Sequence, residues 1–154
     1  MSTHVAELRW ELSGEDFLAG KYSRAHVWSF DGGAVVPASA SPHVVREPYS
    51  NPANVDPEEA FVAAIASCHL LTFVHMASRK GIVVRRYTDR AVGTMTKNER
   101  GVPWVSKVVL RPRVEYGEGG RPSPEVEAEL HHAAHERCFI ANSVKSEIVV
   151  EPEG

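Results

Sequence analysis

Residues 56–81 read DPEEAFVAAIASCHLLTFVHMASRKG, and this stretch decides the fold. Asp56 is a good helix N-cap, Pro57 suits the first helical position, and Glu59 completes a capping box. Glu58 adds a second carboxylate to the first turn, where the helix dipole favours negative charge. From Ala60 to Ala77, eighteen residues carry no Asp, Glu, Lys or Arg. Arg79-Lys80-Gly81 then supplies a basic last turn and a glycine stop. An uncharged run of this length raises the membrane question. Ser67, Cys68, His69, Thr72 and His75 lie inside it, however, and no other segment resembles a span. The expectation is a buried central helix of a soluble protein, sheathed by sheet and by a partner subunit.

Strands are expected on both sides of this helix. Residues 5–12 alternate loosely. In residues 22–30, period-2 geometry places Tyr22, Arg24, His26, Trp28 and Phe30 on one strand face. Asp31-Gly32-Gly33 is a hairpin signal, with residues 34–40 returning. Residues 42–52 hold three prolines and read as an irregular loop. Downstream, residues 82–97 and 102–116 predict two long strands joined at Asn98-Glu99-Arg100-Gly101. Ser123-Pro124-Glu125 opens a second helix that reaches about Cys138. Asn142-Ser143 breaks it, and residues 146–150 form a last strand. Strands, helix, strands, helix, strand is an α+β pattern rather than a repeating βαβ one, within a single domain spanning 1–154.

The charge balance excludes some partners. Seventeen basic and twenty acidic side chains are interspersed to a net charge of −3. There is no basic stripe for a nucleic-acid backbone and no polybasic cluster for a membrane surface. Met1-Ser2-Thr3-His4 leads directly into alternating sequence without a secretory pattern, so the cytoplasm is the expected compartment. Two cysteines cannot build a disulfide scaffold in a chain of this size. In the cytosol such a pair is catalytic, redox-sensing or metal-binding, or else simply buried as two small hydrophobes.

The stretch from Asp56-Pro57-Glu58-Glu59-Ala60-Phe61 through Ala-rich sequence to Ser67-Cys68 resembles the first cysteine motif of the OsmC/Ohr family. That family holds osmotically induced protein C and the organic hydroperoxide resistance proteins. Ala134-His135-Glu136-Arg137-Cys138, ending a helix before Asn142-Ser143, is similar to the second motif. The resemblance implies an OsmC-like fold with antiparallel sheets around two central helices, in an intertwined homodimer with active sites at the subunit interface. It implies a thiol-dependent peroxidase acting on organic hydroperoxides, with no cofactor and an external thiol or dithiol as reductant. By analogy Cys68 is the peroxidatic cysteine, Cys138 the resolving one, Glu58 the first-turn carboxylate and Arg24 the arginine of the N-terminal strand. Two departures stand out: His69 follows the first cysteine where the hydroperoxide resistance proteins have an apolar residue, and Phe139-Ile140-Ala141 follows the second in place of proline.

These residue types suit the implied chemistry. A free cysteine is only about 3% thiolate at neutral pH, and the thiolate is the nucleophile. A guanidinium beside the sulfur favours the charged form, and a carboxylate such as Glu58 would orient Arg24 through a bidentate pair. Phe61, Ile65, Phe73 and Phe139 are candidate apolar walls. Simpler readings stay open: Glu58 as a dipole-favoured surface carboxylate, Arg24 as an exposed strand residue, His69 as a satisfied core histidine. The rival function is a non-catalytic dimer binding a small molecule or a metal. His131, His135 and Cys138, at i, i+4 and i+7, would be its ligands, with Cys68 as a fourth for zinc.

Overall fold

Alternation and a glycine turn set a small sheet among the first forty residues. The computed structural model describes residues 1–14 and 16–154, which group into two units, 1–60 and 61–154. In the first unit β1 (Ala6–Arg9), β2 (His26–Phe30) and β3 (Val35–Ala38) form an antiparallel sheet in that order. The 31–33 turn is closed by the Gly33 N–H bonding to Phe30 O at 2.9 Å. Residues 22–25 are not strand, contrary to the sequence expectation. Arg24 Nη1 donates to the carbonyls of Gly20 at 2.9 Å and Tyr22 at 2.6 Å, and its guanidinium stacks 3.6 Å from the Tyr22 ring centre. A backbone that presents both carbonyls to one side chain is curled, not extended.

Helix α1 runs Pro57–Arg79. Asp56 Oδ1 accepts the Glu59 N–H at 2.8 Å, so the expected N-cap is in place. At the other end Gly81 has φ +72°, which favours glycine. The N–H groups of Gly81 and Ile82 bond to Ser78 O and Ala77 O at 3.0 and 2.9 Å, the pattern of a Schellman stop.

The second unit holds the core. Residues 82–97 and 102–116 do not make two long strands; each bends and divides between two sheets. β4 (Val84–Asp89) pairs with β7 (Pro112–Tyr116), while β5 (Val92–Lys97) pairs with β6 (Pro103–Leu110). Asp89 Oδ1 accepts the Arg111 N–H at 2.7 Å and holds the corner. The last strand, β8 (Glu147–Val150), runs parallel to β6. Helix α2 (Pro124–Arg137) starts on Ser123, whose hydroxyl accepts the Val126 N–H at 3.3 Å.

One side of α1 is buried by these sheets. Phe73 and Ala77 pack with Val114, Leu130 and Ala134, while Ile65 packs with Val108 and Leu110. A side chain at Gly93 would meet Val62 Cγ2 at 2.6 Å, so β5 approaches α1 where only glycine fits. By length and composition α1 could cross a membrane. Its fully buried row of Ile65, His69, Phe73 and Ala77 is instead the centre of a protein core. The opposite side departs from the expectation of all-round burial: Ala63, Ala64, Ser67, Leu71, His75 and Ser78 are exposed in the single chain.

Candidate active site

Helix α1 carries Cys68 eleven residues into its length, and Cys138 caps the C-terminus of α2. Seventy residues apart in sequence, the two free thiols come close enough for each to act on the other's ionisation. Their environments differ. Cys138 is 1% exposed, whereas Cys68 is half-buried. The chain turns sharply after α2 into a 3-10 turn (Ala141–Ser143), where the Ala141 N–H points back to Cys138 Sγ at 3.4 Å. Asn142 Nδ2 secures that turn by donating to the carbonyls of Cys138 at 2.9 Å and Glu136 at 3.0 Å.

This arrangement separates the two thiols electrically. Burial works against the Cys68 thiolate. The neighbouring Cys138 thiol and the Ile140 and Phe139 N–H groups outweigh it, and the Cys68 pKa lies below that of an ordinary thiol; the Thr72 hydroxyl donates to the Cys68 carbonyl at 2.8 Å. Burial and the hydrogen bond to Cys68 push Cys138 up to about 11. Of the pair, Cys68 is the thiol more readily ionised and Cys138 the one that keeps its proton. Neither Thr72 nor the 139–140 backbone was anticipated from the sequence. Thr72 stands one turn after Cys68, which was a readable signal; the amides depend on the turn after α2, which was not.

Arg24 and Glu58 both lie in the N-terminal unit and form no ion pair there among the described residues, so the expected bidentate pair is absent from the single chain. Arg24 is held by its own loop's carbonyls. With Trp10, Phe17, Tyr22, His26 and Pro57 it lines an aromatic-walled cavity of about 390 Å3. The Trp28 indole donates to His26 Nε2 at 3.0 Å, which places the His26 proton on Nδ1, where it donates to Arg24 O at 2.8 Å. Glu58 Oε2 is buried without a hydrogen-bond partner.

The proposed zinc set does not assemble. Cys138 faces Cys68, while His131 bonds to His69 Nε2 at 3.1 Å through Nδ1. Among the described residues no three His, Cys, Asp or Glu side chains are grouped to hold a metal. The apolar walls also divide: Ile65 and Phe73 are fully buried core, Phe139 is 83% exposed, and Phe61 lines a cavity of about 620 Å3 with Trp104, Asn142, Ser143 and Lys145.

Fold and thiols together define an α+β protein with two helices, antiparallel-rich sheets and an asymmetric dithiol. A family model described as OsmC-like protein matches residues 50–153. A solved OsmC-like protein of unknown function from Vibrio cholerae is 51% identical, with a TM-score of 0.96 over 99% of this chain and 100% of that one. The chain belongs to the OsmC-like family. The fold is shared more distantly with the organic hydroperoxide resistance protein OhrB of Bacillus subtilis, at 19% identity and TM-score 0.69 over 99% and 98% of the two chains. An organic hydroperoxide resistance protein from Elizabethkingia anophelis, at 18% identity, has a TM-score of 0.72 over 99% and 94%. A comparison with curated proteins found no match.

Proposed function

We propose that this protein is a thiol-dependent peroxidase for organic hydroperoxides. The observation that carries the reading is two neighbouring thiols in unlike settings, Cys68 half-buried within α1 and Cys138 1% exposed at the end of α2, with ionisation favoured at Cys68 and opposed at Cys138. The Cys68 thiolate attacks one peroxide oxygen, the O–O bond breaks, and the alcohol leaves with a proton, giving Cys68 sulfenic acid. The Cys138 sulfur, releasing its proton, then attacks the Cys68 sulfur; the S–S bond forms and water departs. An external thiol or dithiol returns both cysteines to the reduced state.

The active form is an intertwined homodimer of one functional domain per chain. The uncharged exposed side of α1 supports this, as does the exposure of Leu8 at 68% and Leu18 at 95% in the single chain. Arg24 and Glu58 are assigned as the cation and carboxylate completing the site, an assignment supported by the unpartnered Glu58 oxygen, which lacks a donor. The test is cumene hydroperoxide consumption with dithiothreitol as reductant. Cys68→Ser is expected to lower the rate at least a hundredfold; an unchanged rate would sink the proposal.

A further inference from the structure

Helices α1 and α2, which carry the two thiols, are joined in the core by the bond between His69 Nε2 and His131 Nδ1 at 3.1 Å. His69 follows Cys68 directly, and His131 stands two helical turns before Cys138. Both histidines are buried, at 1% and 4% exposure. Their rings are parallel within 3° with centres 5.4 Å apart, and the His131 ring also stacks on Phe73 at 4.4 Å. Neither ring can turn without displacing core side chains.

We infer that the His69–His131 hydrogen bond is a strut that fixes α1 against α2 and so holds the Cys138 sulfur at the Cys68 sulfur for disulfide closure. Both histidines are positioning residues. The inference rests on the dithiol reading above, but not on the oxidant being a peroxide. An apolar pair would fill this space without leaving His69 Nδ1 and His131 Nε2 buried and unpartnered, which costs stability. What the imidazoles add is direction, since a hydrogen bond sets distance and angle where apolar packing sets only contact.

The bond requires a single proton between the two facing nitrogens, so it survives protonation of one ring at its outer nitrogen and is lost when both rings are protonated. Burial, followed by the charges of His131 and His135, lowers His69 to about 4. Burial likewise lowers His131 to about 4, against the opposing effect of Glu127. Glu127 is itself held by Arg121 through bonds of 2.9 and 3.0 Å. Tyr87 and Tyr116, from the β4–β7 sheet lining the same core, are kept as neutral phenols by burial. The strut is thus intact at neutral pH and opens as the pH falls below about 4 and both rings become charged.

Disulfide closure is followed with diamide, which takes two electrons and two protons from the thiols as the S–S bond forms, and in parallel with cumene hydroperoxide. His69→Phe removes the bond and keeps the bulk, and closure at pH 7 is expected to slow at least tenfold. Gln at 69 and Asn at 131 place amide atoms near the bonded nitrogens without titrating. The double variant His69→Gln/His131→Asn is therefore expected to close within about threefold of wild type at pH 7. By pH 3, with each histidine about nine-tenths protonated and roughly four pairs in five doubly charged, the wild type should have lost roughly fivefold more of its rate than the double variant. Wild-type closure in His69→Phe, or parallel decline of wild type and double variant to pH 3, overturns the inference. Should His69→Phe fail to fold, the double variant's pH profile decides. A protein that closes normally with diamide yet ignores the hydroperoxide would remove the peroxidase reading and leave the strut standing.

Discussion

At the scale of the residue, one side-chain type is made to serve two roles. The Cys68 sulfur is favoured as thiolate by a thiol and two backbone amides, whereas Cys138 keeps its proton and lies deeper. The donor from Cys138 is part of what keeps the Cys68 pKa low. Cys138→Ala should therefore shift the pH midpoint of Cys68 alkylation by iodoacetamide upward, and an unchanged midpoint would show that the contact does not stabilise the thiolate. The cysteines and the first-turn carboxylates were legible as motifs. The geometry of Arg24 was not: alternation placed it on a strand face, but its guanidinium finds the Gly20 and Tyr22 carbonyls and curls the chain. Local side-chain-to-backbone bonds of this kind override a period-2 pattern without altering it.

Among the elements, the helices were the most legible because their ends are written in capping chemistry. Asp56, Ser123 and Gly81 each make the terminus their residue types announce. The bends in the two long strands were hidden, since they depend on the Asp89 carboxylate reaching the Arg111 amide across the sheet. The partner of His69 was hidden for a similar reason: His131 was read along its own helix with His135 and Cys138, while its real neighbour lies 62 residues away. Two buried neutral histidines also set the acid limit of the fold. With folded pKa values of about 4 against about 6.5 unfolded, the unfolded chain binds more protons between those pH values. Stability present above pH 6.5 is accordingly lost as pH falls through 4, by about 1.4 kcal/mol per pH unit for each proton taken up. Thermal melts from pH 7 to 4 should show this slope, and His69→Gln/His131→Asn should flatten it; identical slopes would place the acid-labile groups elsewhere.

For the whole molecule, the exposed uncharged side of α1 is the feature a single chain leaves unexplained. Ala64, Ser67, Leu71 and His75 present small or apolar surface along it, a face suited to a second copy. Sedimentation equilibrium at micromolar concentration is expected to give twice the chain's mass. A monomer there would contradict the interface-site proposal. The family and the two-helix α+β architecture were visible from two cysteine motifs and the order of elements. Arg24 and Glu58 were assigned to the site from the same resemblance, but their expected pairing is absent from one chain alone among the described residues. The central claim, that Cys68 and Cys138 form a reducing dithiol, is tested most directly by treating reduced protein with one equivalent of cumene hydroperoxide and mapping its disulfides by mass spectrometry. The predicted result is a Cys68–Cys138 bond in wild type and a trappable Cys68 sulfenic acid in Cys138→Ala. Recovery of both cysteines as free thiols would contradict it.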